Sequence, residues 1–257
     1  WQSLALNLSD LAAMGAEPAW ALLALTLPDA DAQFVQRFAD GFATLAGQHA
    51  VALIGGDTTQ GPLSITVTAL GFVPRDVALT RGGAHGGDAV FVTGTLGDAA
   101  GALQLLLASG ESHPPRRAAR AFAFAPPFLR KGEDKIHPLP QEGGRREATG
   151  GCAASDNDAV ARLLDTLNRP VPRVSAGLAL RGLASACIDI SDGLLADLGH
   201  VCAASGVGAE LDADALPLSS ALVANFDGDA CRRFALTGGD DYELCFTVPP
   251  ECEDRVA

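Results

Sequence analysis

Asp189-Ile190-Ser191-Asp192-Gly193 sets two carboxylates and a hydroxyl at the point where a small apolar run, Ala184 to Ile188, gives way to Leu194, Leu195, Leu198 and Val201 at helical spacing. The pattern predicts a short strand, an acidic turn and a helix, with the acids at the helix N-terminus. Unbonded N–H groups there favour an anion, and carboxylates beside them suit a hard cation such as Mg2+ that bridges the two. The same residues also suit a plain cap, with Ser191 or Asp192 at the N-cap and Asp189 solvated.

Two further acidic segments lie upstream. In Leu53-Ile54-Gly55-Gly56-Asp57-Thr58-Thr59-Gln60-Gly61-Pro62 a hydrophobic strand is expected to run into a turn. Its glycines would let a backbone approach a phosphate, and Asp57 and Thr58 would offer oxygens to a metal; a glycine-rich hairpin is the alternative reading. Asp10 sits in Asn7-Leu8-Ser9-Asp10-Leu11-Ala12-Ala13-Met14-Gly15-Ala16, a small and apolar helical run in which a buried acid would need a partner.

Around these segments the chain alternates helical and strand patterns. Helices are expected at 3–15, 31–48, 98–107, 156–168, 175–183 and 193–205, and strands at 21–27, 51–54, 64–73, 89–92, 187–190 and 242–248. Phe34, Phe38, Phe42 and Leu45 share one face of the second helix and read as core. Gly82, Gly83, Gly86 and Gly87 mark 74–87 as a connector. Two α+β domains follow, a partial one at 1–80 with Asp10 and Asp57 and an incomplete one at 81–257 with Asp189 and Asp192, and a ligand is expected between them.

Composition narrows the function classes. A net charge of −13 argues against nucleic acid as partner, because a polyanion needs a basic face. No apolar run is long enough to span a bilayer, and six scattered cysteines without a CxxC pair point to idle thiols in a reducing compartment, the cytoplasm. Residues 113–151 hold six of the fifteen prolines and a local charge of +4, and are expected to be a disordered insertion.

In this order, Ala5 to Ala16, Ile54 to Pro62, Val92-Thr93-Gly94-Thr95-Leu96-Gly97-Asp98, Arg169-Pro170-Val171-Pro172-Arg173, Ile188 to Leu194 and Gly238-Gly239-Asp240-Asp241-Tyr242-Glu243-Leu244 resemble the thiamine-monophosphate kinase family. That family belongs with the aminoimidazole ribonucleotide synthetase-like ATP-binding enzymes. The likeness covers most of 1–112 and 156–250.

The resemblance implies a two-domain aminoimidazole ribonucleotide synthetase-like fold and Mg2+-dependent, in-line transfer of the ATP γ-phosphoryl to thiamine monophosphate. No covalent nucleophile is implied, so no catalytic residue beyond the metal-bearing ones is expected. By resemblance, Asp10, Asp57, Asp189 and Asp192 hold Mg2+, Gly56, Asp57, Arg81 and Ser191 contact ATP, and Asp240 contacts the thiamine where the family motif carries Glu. Arg81 reads equally well as a surface cation. A homodimer joined through N-terminal sheets is implied, with free edges expected at 21–27 or 64–73. The chain opens on Trp1, is expected to lack both ends, and should then be poorly active alone. Another ATP-dependent synthetase of the superfamily, or a non-catalytic nucleotide-binding remnant, remains an alternative.

Overall fold

The computed structural model describes residues 1–109, 136–138 and 156–256. Most of the segment expected as an insertion lies outside them; residues 136–138 are a short strand.

Three long strands form the first sheet: β1 (Glu17–Leu27) is central, paired in parallel with β2 (Ala52–Gln60) and antiparallel with β3 (Ser64–Phe72). Residues 21–27 therefore have neighbours on both sides and offer no free edge; β2 and β3 are the edges. Helices α1 (Gln2–Ala13) and α2 (Ala32–Gln48) accompany this sheet. Ala21 and Leu25 of β1 are buried in the core, while Trp20 and Leu22 stay 42% and 38% exposed on the other face. Leu70 and Phe72 extend that open face, where Phe72 meets Trp20 edge to face at 5.2 Å.

The expected turn after Ile54 is strand instead. Gly55, Gly56 and Asp57 pair with Leu22, Leu23 and Ala24, just past a register shift at Ala21/Leu22. Gly56 adopts a φ of 149°, and a Cβ there would stand 1.8 Å from the Leu23 carbonyl oxygen. The glycine thus permits a bulged close approach between two strands, and a β-bulge accommodates the extra residue without ending the pairing.

The second sheet has the order β5-β4-β7-β6, built from β4 (Ala89–Val92), β5 (Ile136–Pro138), β6 (Ala186–Asp189) and β7 (Leu244–Val248). β4, β6 and β7 are buried along their whole length, and Phe91 stacks on Phe246 at 5.6 Å. Helices α3 (Asp98–Ala108), α4 (Asp156–Asn168), α5 (Val174–Ala179), α6 (Leu194–Ser205), α7 (Ser220–Asn225) and α8 (Gly228–Thr237) complete this half. Among the described residues no helix is long and apolar enough to cross a membrane, and the five cysteines among them are free thiols.

One core runs through both halves. Leu4, Leu8 and Ala12 of α1 share a buried cluster with Phe91, Leu244 and Phe246, so α1 forms a wall common to the two sheets. α5 crosses α1 at Gly177, where a Cβ would lie 2.0 Å from the Ala12 carbonyl oxygen. A side chain there forces the helices apart. Gly177→Ala is expected to cost about 1–3 kcal/mol of stability by overpacking. Gly47→Ala, in α2 with nothing within 4 Å, should be neutral or slightly stabilising; urea unfolding of both variants checks the contrast.

Candidate functional site

A cavity of about 190 Å³ opens where α1, the segment after β3 and the end of β6 converge, lined by Asp10, Met14, Leu79, Arg81 and Asp189 among others. Whole-ligand sites usually enclose about 300–1,000 Å³, so this space would receive only part of a nucleotide-sized molecule. Arg81 reaches the site from an exposed position just after Leu79, whose N–H donates to the Met14 carbonyl.

Asp10 is exposed on the last turn of α1 rather than enclosed among Ala and Leu, and it projects toward the cavity. Partial desolvation raises its pKa, an effect opposed by the Arg81 cation. Asp189 ends β6 and is 6% exposed. Burial raises its pKa most; the Ser9 hydroxyl eases its charge, Asp10 adds repulsion, and Arg81 relieves it. The Ser9 hydroxyl is fully buried and makes no hydrogen bond of good geometry. Two crowded carboxylates facing one guanidinium form an oxygen-rich set suited to a hard cation carrying an anionic ligand.

The rest of the acidic turn is held from two sides. Ile190 N–H donates to the Glu243 carbonyl at 2.7 Å, Tyr242 N–H to the Ile190 carbonyl at 2.8 Å and Asp240 N–H to the Ser191 carbonyl at 2.9 Å. From the helix side, Oδ2 of Asp197 accepts the N–H groups of both Ser191 and Asp192 at 3.0 Å. The side chain of Ser191 is half-buried, and that of Asp192 is exposed. Sequence reading passed over Asp197. The available signal was its place on the buried Leu194, Leu198, Val201 stripe, where an acid requires partners.

Asp240 takes a left-handed φ of 69°, and the Tyr242 hydroxyl donates to its carboxylate at 2.8 Å. Close by in sequence, Glu243 accepts from Arg173 Nε and Thr93 Oγ1, both at 2.6 Å. Burial raises the Glu243 pKa, and the hydrogen bond and charge of Arg173 oppose that. These links tie the start of α5 and the end of β4 to β7.

The acidic residues singled out by sequence do not all come together. Asp10, Arg81 and Asp189 share the cavity, whereas Ser191 and Asp192 follow Asp189 in the turn and do not line it. Asp57 pairs with Ala24, two residues beyond Leu22, and the Thr26–Thr59 hydroxyl contact at 3.1 Å shows that paired side chains here share a face. That places Asp57, exposed, on the open face of the first sheet with Trp20 and Leu22, and Gly56 against the backbone of Leu23. Among the described residues, no three His, Cys, Asp or Glu side chains stand close enough together to hold a metal by themselves.

Family models for AIR synthase related proteins match the chain twice, the N-terminal domain over residues 1–73 and the C-terminal domain over 147–256. Thiamine-monophosphate kinase of Salmonella typhimurium is 42% identical over 249 residues, which cover 97% of this chain and 64% of that protein. The chain thus spans just under two thirds of that relative's length. The crystal structure of thiamine-monophosphate kinase from Stenotrophomonas maltophilia K279a superimposes with a TM-score of 0.79 at 47% identity, covering 99% of this chain and 69% of that one. AaThiL complexed with AMPPCP and TMP gives a TM-score of 0.75 at 30% identity, over 98% and 68% of the respective chains. With that identity and coverage laid over the same two-sheet architecture, the chain belongs to the thiamine-monophosphate kinase family.

Proposed function

We propose that this chain is the catalytic portion of a thiamine-monophosphate kinase, transferring the γ-phosphoryl group of ATP to the phosphate of thiamine monophosphate to give thiamine diphosphate and ADP. The observation that carries the reading is the convergence of Asp10, Arg81 and Asp189 on one cavity beside the Asp189–Gly193 turn, in a chain of this family. The relative complexed with AMPPCP and TMP supports both substrates.

In this reading Asp10, Asp189 and Asp192 are the Mg2+-holding carboxylates, and the donor set matches the oxygen preference of that ion. Bound Mg2+ would neutralise phosphate charge and align the reacting groups. Arg81 pairs with nucleotide phosphate and Ser191 donates its hydroxyl to a phosphate oxygen. Asp240, fixed by Tyr242, faces the acceptor. The acceptor oxygen is already anionic, so no side chain has to remove a proton from it. The two units, 1–80 and 81–257, then meet at the site, and the enzyme works in the cytoplasm.

Asp57 fits this reading through a second copy. The open face of the first sheet carries Trp20, Leu22, Leu70 and Phe72, all exposed, between edge strands that pair with no further strand among the described residues. An apolar sheet face of this kind favours association. A homodimer formed there would carry Asp57 toward the partner's cavity, completing the Mg2+ set and placing Gly56 near ATP.

With the chain carried at the full length of its relatives, Mg2+-dependent thiamine diphosphate formation is expected, and Asp192→Asn should lower it about 10²–10³-fold, as when one charge-stabilising group is removed. ATP binding without turnover in the unaltered protein would refute the kinase assignment. A second assay reads the shared site. Asp57→Asn and Asp189→Asn proteins, each inactive alone, should regain activity when unfolded and refolded together, because one site of the mixed dimer is then intact; no recovery places Asp57 in its own chain's site or outside it.

A further inference from the structure

We propose that Asp197 is the positioning residue of the cation-binding turn: its carboxylate fixes the peptide planes of Ser191 and Asp192 and with them the direction of the two side chains. The inference rests on the reading of Asp189 and Asp192 as Mg2+ ligands.

Asp197 is 3% exposed, on the first full turn of α6. Burying a carboxylate is costly unless hydrogen bonds and charge compensate it. Here the compensation comes from the turn itself, since one oxygen accepts two successive backbone N–H groups at 3.0 Å. The helix N-terminus adds a favourable field. Remove the carboxylate and both N–H groups are left without this partner, while Ile190 and the Ser191 carbonyl stay pinned to residues 240–243. The peptides at 191 and 192 are then free to rotate, and the Asp192 carboxylate loses its fixed direction. Since Asp197 itself is enclosed, it acts through the turn and not as a ligand.

The test uses the metal-free 257-residue chain with Mn2+ as a probe for Mg2+, read by electron paramagnetic resonance, and amide hydrogen exchange of Ser191 and Asp192. In Asp197→Ala, exchange at both amides should accelerate at least tenfold, and the Mn2+ Kd should rise about 10–100-fold, the usual cost of losing a residue that orients a ligand. Asp197→Asn keeps an oxygen acceptor, so both amides should stay protected and affinity should fall by less than about threefold. Unchanged exchange in Asp197→Ala overturns the proposal. So does an Asn variant with protected amides that binds Mn2+ as poorly as the Ala variant, because charge and not position would then be responsible. If Asp197→Ala does not fold, the Asn variant decides alone: protected amides and retained affinity support the clamp, and loss of either overturns it. Asp192→Asn runs in parallel. If it leaves Mn2+ binding unchanged, the metal reading fails while the exchange data still judge the clamp.

Discussion

The site depends on the hydrogen bonding of a backbone segment only a few residues long. From Ile190 to Asp192, every N–H donates within the protein: one to the carbonyl of Glu243 and two to the side chain of Asp197. Carboxylates set this close repel one another, so a flexible turn would spread them apart. Anchoring the turn between a central strand and a helix start removes that freedom before any ligand arrives, which is what preorganisation requires. The anchoring also links two functions. The Ser191 carbonyl is the acceptor for Asp240 N–H, so the segments proposed to meet nucleotide and acceptor are bonded to each other directly.

Helix α1 supplies the opposite wall. Its buried residues pack under both sheets, and its last turn delivers Asp10 to the cavity. The close crossing at Gly177 sets the height of that wall relative to α5, whose first turn follows Arg173, the partner of Glu243. Position at the site is thus inherited from core packing. The crowding of Asp10 against Asp189 is tolerated because Arg81 stands beside both.

The periodic parts of this architecture are legible in the sequence. The helices at 2–13, 32–48, 98–108, 156–168 and 194–205, and the strands at 89–92 and 186–189, lie within a few residues of their expected places, because their apolar spacing is set by one-sided burial. The strand through Gly55 and Gly56 was not legible. Two glycines before an acid normally end a strand, and only the neighbouring β1 backbone explains why here they let it continue. Helices α7 and α8 are short, six and ten residues behind N-caps at Ser219 and Asp227, and both pack on an apolar surface shared with α3 and α4. In the site, local sequence placed Asp189 and Asp192 at a strand-to-helix junction. Their support by Asp240, Tyr242 and Glu243 is long-range and left no mark in the turn's own residues.

The identity of residue 240 shows how such support can shape a sequence. The motif it resembles carries Glu, whereas this chain carries Asp in a backbone conformation with a φ of 69°. Left-handed conformations are tolerated several-fold better by Asp than by most residues with longer side chains. Tyr242, itself at a φ of 52°, donates its hydroxyl to the shortened carboxylate, and the two strained residues are held by N–H bonds to Ser191 and Ile190. In the proposed role at the acceptor, the shorter side chain therefore gives up reach and gains a more easily adopted backbone with a fixed carboxylate direction. Reach can be recovered through a bridging water, which is nearly as good enthalpically as a direct contact. A misdirected backbone cannot be repaired in that way, because the peptide that would shift is the one bonded to the Ile190–Asp192 turn.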